Sequence, residues 1–153
     1  MIKYTQSSLY RLNWRVQAQF QIKLHERDLV LLNHIKNFFG VGTIVKHGSK
    51  VVYCVKSIEN LSKVIIPHFD NFPLLTQKFA DFQLFKKIVI IMAKKEHLLY
   101  ENFLVILGLR ANLNLGMSER LKIAFPNTVP VARPKVPLRK INHPNWLTGF
   151  EFI

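Results

Sequence analysis

A chain of 153 residues that is 49% hydrophobic carries enough apolar side chain for one real core, which excludes a disordered tail and predicts a single domain. The 22 Lys and Arg against 9 Asp and Glu give a net charge of +13. That balance favours a polyanionic partner, because each phosphate neutralised releases condensed counterions, although a ribosomal or anionic-lipid surface, or solubility alone, also accounts for the charge.

Residues 2–10 have the composition of a strand that turns near Gln6, Ser7 and Ser8. Residues 14–24 then alternate: Trp14, Val16, Ala18, Phe20, Ile22 and Leu24 are apolar, and Arg15, Gln17, Gln19, Gln21 and Lys23 lie between them. A period of two puts the sets on opposite faces of one long strand, the second face offering two cations and three amides. Asp28 is placed to cap the next helix, whose Leu29, Leu32, Ile35 and Phe39 share a face, and Gly40 and Gly42 end it. Residues 43–47 and 51–56 predict a hairpin turning at Gly48 and Ser49. Ser57 opens a short helix to Ile66, which Pro67 cuts off. Thr76 caps a long helix to about Lys94, with a stripe of Phe79, Phe82, Phe85, Val89 and Met92. A further helix covers about 98–112, in which the lone Gly108 carries no signal, and Ser118 starts another through Phe125.

From Pro126 to Pro144 the composition changes. Five of the seven prolines fall there, interleaved with Arg133, Lys135, Arg139 and Lys140, and no period remains, so the stretch reads as an extended basic linker. Trp146 to Ile153 returns to apolar composition. The apolar run 88–92 is far short of the roughly 20 residues that span a bilayer, so no membrane partner is expected. Cys54 is the only cysteine, which excludes an intrachain disulfide and fits a reducing compartment. None of the six histidines has a partner at zinc-site spacing, and no Ser-His-Asp order or phosphate-cradling glycine loop is present.

Several short segments carry a family resemblance in their order and spacing. They are Trp14-Arg15-Val16-Gln17 running to His25-Glu26-Arg27-Asp28, Phe38-Phe39-Gly40-Val41-Gly42, His68-Phe69-Asp70, and Pro73-Leu74-Leu75-Thr76-Gln77-Lys78. Asp81-Phe82, Phe85-Lys86, Asn114-Leu115-Gly116 and Asn142 to Phe150 follow. Together they resemble the first repeat of the two-repeat LAGLIDADG homing endonucleases of fungal organellar introns, over nearly the whole chain. The resemblance implies an α+β half-domain in which a four-stranded antiparallel saddle sheet packs against helices. It implies a saddle domain at 1–125, a basic Pro-rich linker at 126–145, and the opening of a second LAGLIDADG helix at 146–153. It also implies a mitochondrial, organelle-encoded origin, which the heavy use of Phe, Ile, Asn and Lys fits.

In that family the exposed face of the saddle lies in the major groove of double-stranded DNA. Arg pairs there with guanine, Gln with adenine, and Lys with guanine or phosphate. The resemblance therefore nominates Arg15, Gln17, Gln19, Gln21 and Lys23 as DNA contacts, where the alternation alone more readily gives a solvated sheet face. Thr43 and His47 join them from the hairpin, with Lys46, Lys56, Lys50, Lys135, Arg139 and Lys140 as candidate phosphate contacts. Val52 and Cys54, where relatives often carry Gln or Arg, can meet thymine methyls but cannot read guanine or adenine. Lys78 matches a family lysine beside the cleavage centre and is the catalytic candidate, placed to stabilise phosphate charge.

Two-metal cleavage draws carboxylates from the ends of two LAGLIDADG helices, usually around Mg2+. The first of these helices is expected before Met1, and the acid of the second beyond Ile153. Glu151 comes too early in its helix to match, and Asp28, Asp70 and Asp81 fall in packing and capping contexts, so no metal ligand is assigned within the chain. The expectation is a homing-endonuclease-like protein that binds the intron-insertion site and does not cut alone. The alternatives are a maturase-like factor bound to intron RNA, and one part of a split enzyme completed by a complementary LAGLIDADG polypeptide.

Overall fold

The structure is a computed structural model, and it describes residues 1–9, 13–113 and 116–137. The elements run β1 (Ile2–Gln6), β2 (Trp14–Ala18), β3 (Phe20–His25), a 3-10 turn (Glu26–Asp28), α1 (Leu29–Phe39), β4 (Thr43–His47) and β5 (Lys50–Val55). Then come α2 (Ile58–Asn60), a π-turn (Leu61–Ile65), α3 (Ile66–Asn71), α4 (Gln77–Ala93), a 3-10 turn (Glu96–Leu98), α5 (Tyr100–Ala111) and α6 (Glu119–Ala124).

The long alternating strand is present but broken at Gln19. Its first half, β2, pairs antiparallel with β1; its second half, β3, pairs antiparallel with β5, which also pairs with β4. The expected four-stranded saddle is thus a two-stranded and a three-stranded sheet sharing one stretch of chain. Gln19 N still donates to Met1 O at 2.8 Å, continuing the β1–β2 ladder by one rung. Right-handed twist accumulates along a strand, and exchanging partners midway lets each half keep its own register.

The period-two reading of the core face holds. Ala18 is fully buried, and Val16, Phe20, Ile22 and Leu24 pack against the main core from the same side. Ile2 and Tyr4 of β1 join them, as do Val51, Tyr53 and Val55 of β5. Beneath β1 and β2, Phe103 and Leu107 of α5 and Leu121 of α6 form a second cluster, with Trp14 edge-on to Phe125 at 6.1 Å. Helix α4 is buried on more than the predicted stripe, since Ala80, Leu84 and Ile88 are buried with Phe82, Phe85, Val89 and Met92. Such a helix is a core element between layers rather than a surface cover.

Several local expectations change. Thr76 caps α4 as expected, its Oγ1 accepting from Lys78 N at 3.3 Å, and Ser57 Oγ accepts from Asn60 N at 3.3 Å. Asp28 makes no side-chain cap to α1; its carboxylate lies 3.8 Å from Arg27 instead. Pro67 does not end the helix after Ser57. It sits in the first turn of α3, where a missing N–H is tolerated, and the π-turn before it carries the chain through.

Residues 126–137 form no helix or strand, and they are strapped to the domain. Val131 N donates to Gly108 O at 3.0 Å, and Asn112 Nδ2 donates to Val131 O at 2.8 Å. Arg133 donates to Asn112 O and Gln77 O at 3.1 and 3.2 Å and pairs with Asp81 at 2.8 Å. Gly108, unreadable in sequence, is what admits the strap, because a Cβ there would stand 2.5 Å from Val129 O. Two effects oppose each other on replacing it. Helix propensity favours Ala over Gly by about 1 kcal/mol. Overpacking against backbone costs about 1–3 kcal/mol. Gly108→Ala is expected to lose stability in urea denaturation, and a gain would show that the strap does not close on α5. Arg139, Lys140 and the 146–153 stub lie outside the described residues.

Candidate nucleic-acid interface

The register fixes which side chains share the face opposite the core. Thr5 stands opposite Arg15 and Lys3 opposite Gln17 on β1 and β2. On the other sheet the rows are Gln21–Cys54–Thr43, Lys23–Val52–Val45 and His25–Lys50–His47. Arg15, Lys23, Thr43 and His47 are exposed, and Gln17 and Gln21 are half-buried. Lys3, Arg15, Lys23 and Lys50 lie on this face, and none of the residues in these rows is an acid. Lys56 is exposed one residue beyond β5.

Two nominated residues are placed otherwise. Gln19 is directed to the same side but is 0% exposed, with Oε1 3.7 Å from the Cys54 thiol, so its amide is not presented on this surface as the resemblance implied. Partner exchange at the strand break, not side-chain period, decides its burial. Lys46 stands opposite Val51, on the core side of the edge strand β4, and pairs with Glu26 at 2.6 Å. That ammonium holds the Glu26 carboxyl below its ordinary range, by hydrogen bond first and charge second. The other nominated strand residues are brought together on one surface. Lys3, Thr5 and His25 belong to the same rows and were not nominated. The alternation of Ile2 and Tyr4 with Lys3 and Thr5 is the signal that locates the first two.

Val52 and Cys54 are 9% and 4% exposed. The central strand therefore lies beneath its flanks, and β3 and β4 carry the accessible side chains. Lys78 is exposed in the first turn of α4 and lies 3.6 Å from Asp81, which Arg133 also holds. Among the described residues no group of three or more His, Cys, Asp or Glu side chains comes together that could hold a metal. Asp81 is committed to cations and does not fit a metal-ligand role, and no hydrolytic step is assigned to these residues.

On the core side, Phe20, Ile22 and Phe69 line two adjoining clefts. One, of about 350 Å³, continues to Leu74, Phe82 and Phe85; the other, of about 420 Å³, continues to Ile35, Phe38 and Phe39. Together they form an apolar trough along the underside of β3.

The sheet thus sets a basic, amide-bearing face over a layer of helices. Residues 1–89 match the family model described as LAGLIDADG endonuclease, and the chain belongs to that family. It is similar to "Probable intron-encoded endonuclease 2" of Neurospora crassa, with 40% identity over 93% of this chain and 34% of that protein. It is also similar to the meganuclease I-SmaMI, solved bound to an uncleaved DNA target in the presence of calcium ions. The TM-score is 0.94 and the identity 41%, over 98% of this chain and 52% of that one. The meganuclease I-CpaMI bound to uncleaved DNA matches with a TM-score of 0.93 and 40% identity, over 98% of this chain and 52% of that one. The chain thus spans about half the length of these solved proteins and 34% of the Neurospora relative.

Proposed function

We propose that the chain is a DNA-reading half of a LAGLIDADG homing endonuclease encoded in a fungal mitochondrial intron, and that it binds the duplex of the intron-insertion site through the exposed face of β1 to β5. The observation that carries this reading is the set of Arg15, Gln17, Gln21, Lys23, Thr43 and His47 on one face, with added lysines and no acid in its rows. Cations there supply the salt-dependent affinity and the amides and guanidinium the base contacts. The basic segment from 126 links this unit to a second LAGLIDADG motif opening at 146.

Site-specific, metal-dependent double-strand cleavage is the activity this unit serves. The metal is Mg2+, and its carboxylates come from polypeptide outside the described residues. The apolar trough beneath β3 suits an apolar helix that brings such an acid, supplied within the same polypeptide or by a complementary one. Lys78 at the start of α4 then faces phosphate charge. The described residues by themselves bind without cutting.

Equilibrium binding to an insertion-site duplex between 50 and 200 mM salt tests this. A fall in affinity on the order of 10³-fold across that range is expected if the face neutralises about six phosphates. Binding that ignores salt, or a preference for intron RNA over the duplex, sinks the reading. Nicking of the duplex by the purified chain with Mg2+ would refute its inactivity.

A further inference from the structure

The centre of the groove-side face holds a short hydrogen-bonded relay. Gln21 Nε2 donates to Cys54 Sγ at 3.5 Å, and the Cys54 thiol donates to Gln19 Oε1 at 3.7 Å. Cys54 and Gln19 are buried, at 4% and 0% exposure, while Gln21 reaches the surface beside them. Gln19 Nε2 is buried without a partner among the described residues, so the thiol bond is what holds this amide by its side chain.

We propose that Cys54 is a positioning residue for base readout, fixing the amide of Gln21 in the orientation that reads adenine. The inference rests on the assignment of this face to DNA. An amide has chemically distinct ends, and its neighbours decide which points where. The Cys54 proton is spent on Gln19 Oε1, so its sulfur faces Gln21 as an acceptor. In this arrangement the NH₂ end of Gln21 meets it; the flipped amide would set oxygen against sulfur lone pairs unless Gln19 turned over with it. One N–H of Gln21 is therefore held, leaving the second N–H and Oε1 for the N7 and N6 edge of adenine. A thiol bond is weak, but it has only to choose between two orientations of one side chain and to remove part of its rotamer freedom before the duplex arrives. The register adds a geometric reason, because Cys54 is directly opposite Gln21 on the central strand.

The test uses the full chain and a pool of duplexes randomised across the insertion site, scored for base preference position by position. Wild type is expected to prefer adenine at one position, and Gln21→Ala to abolish that preference. Cys54→Val, close in volume and without a hydrogen-bonding group, is expected to keep the salt dependence but to lower the thermal midpoint, because Gln19 Oε1 is left buried without its donor. Its adenine preference should fall about tenfold, the loss of a good share of a bidentate pair. Cys54→Ser, which retains donor and acceptor, is expected to preserve the preference. The double variant Cys54→Val with Gln21→Ala should lose no more than Gln21→Ala alone. Undiminished adenine preference in Cys54→Val overturns the proposal, as does a uniform affinity loss with preferences intact or a wild-type pattern in Gln21→Ala. Failure of the wild type to bind any duplex salt-dependently is a separate result, and it removes the DNA assignment of the face itself.

Discussion

Replacing Arg15 and Lys23 together by alanine is expected to weaken binding to the insertion-site duplex by roughly thirty- to thousand-fold. Each side chain is exposed, so the fold has little to lose. An exposed groove-facing Arg or Lys is worth about 1–2 kcal/mol, the lower part of the roughly 1–3 kcal/mol of a bidentate base contact. The two lie on β2 and β3, on opposite sides of the strand break, so their losses should add to roughly 2–4 kcal/mol. Anisotropy titrations at fixed salt would measure this. The single variants separate roles: loss at one base position marks base reading, whereas uniform weakening with a shallower salt slope marks phosphate contact. An affinity within twofold of wild type, at an unchanged melting temperature, would remove the sheet face from the DNA interface.

The largest stability effect is expected at Gly42. Its φ is +90°, and an added Cβ would stand 2.7 Å from Tyr53 Cε2 and 2.8 Å from both Cys54 O and Val55 Cγ2. Positive φ costs an ordinary residue about 1–2 kcal/mol, and overpacking about 1–3 kcal/mol more. The backbone oxygen cannot yield without breaking the central strand, and Tyr53 is held by its hydroxyl donating to Val41 O at 2.8 Å. Gly42→Ala is thus expected to lose about 2–5 kcal/mol, much of the roughly 5–15 kcal/mol available to a small domain. Gly40 is the control: its φ is +67°, but nothing lies within 4 Å of a Cβ, so Gly40→Ala should lose about 1 kcal/mol. Urea midpoints of the two variants decide the matter, and equal losses would show that close approach contributes nothing at Gly42.

The strands and the face they present were legible because period two is a local signal. Arg15, Gln17, Gln21 and Lys23 needed only alternation, and the segments shared with the LAGLIDADG family told which face mattered. Thr43 and His47 followed from the hairpin. What alternation could not show is where a strand exchanges partners, since that depends on residues far away in the chain. Gln19 is buried for that reason. Lys46 stands off this face for a different reason, since on an edge strand a core-facing position can reach a distant carboxylate, here Glu26. Gly108 and Pro67 show the same limit for helices. A glycine is silent until the segment that passes over it is known, and a proline is a breaker only if the turn before it cannot adjust.

The strap formed by Val131 and Arg133 moves the practical edge of the folded unit. A design that trims this half after α6 and fuses it elsewhere would discard the bonds from Val131 to Gly108 and from Arg133 to Asp81 and Gln77. It would also release Asp81 from Arg133, next to Lys78. A chimera joined after Arg133 keeps those bonds, so the cut site for recombining such halves belongs beyond the strap rather than at the end of the last helix.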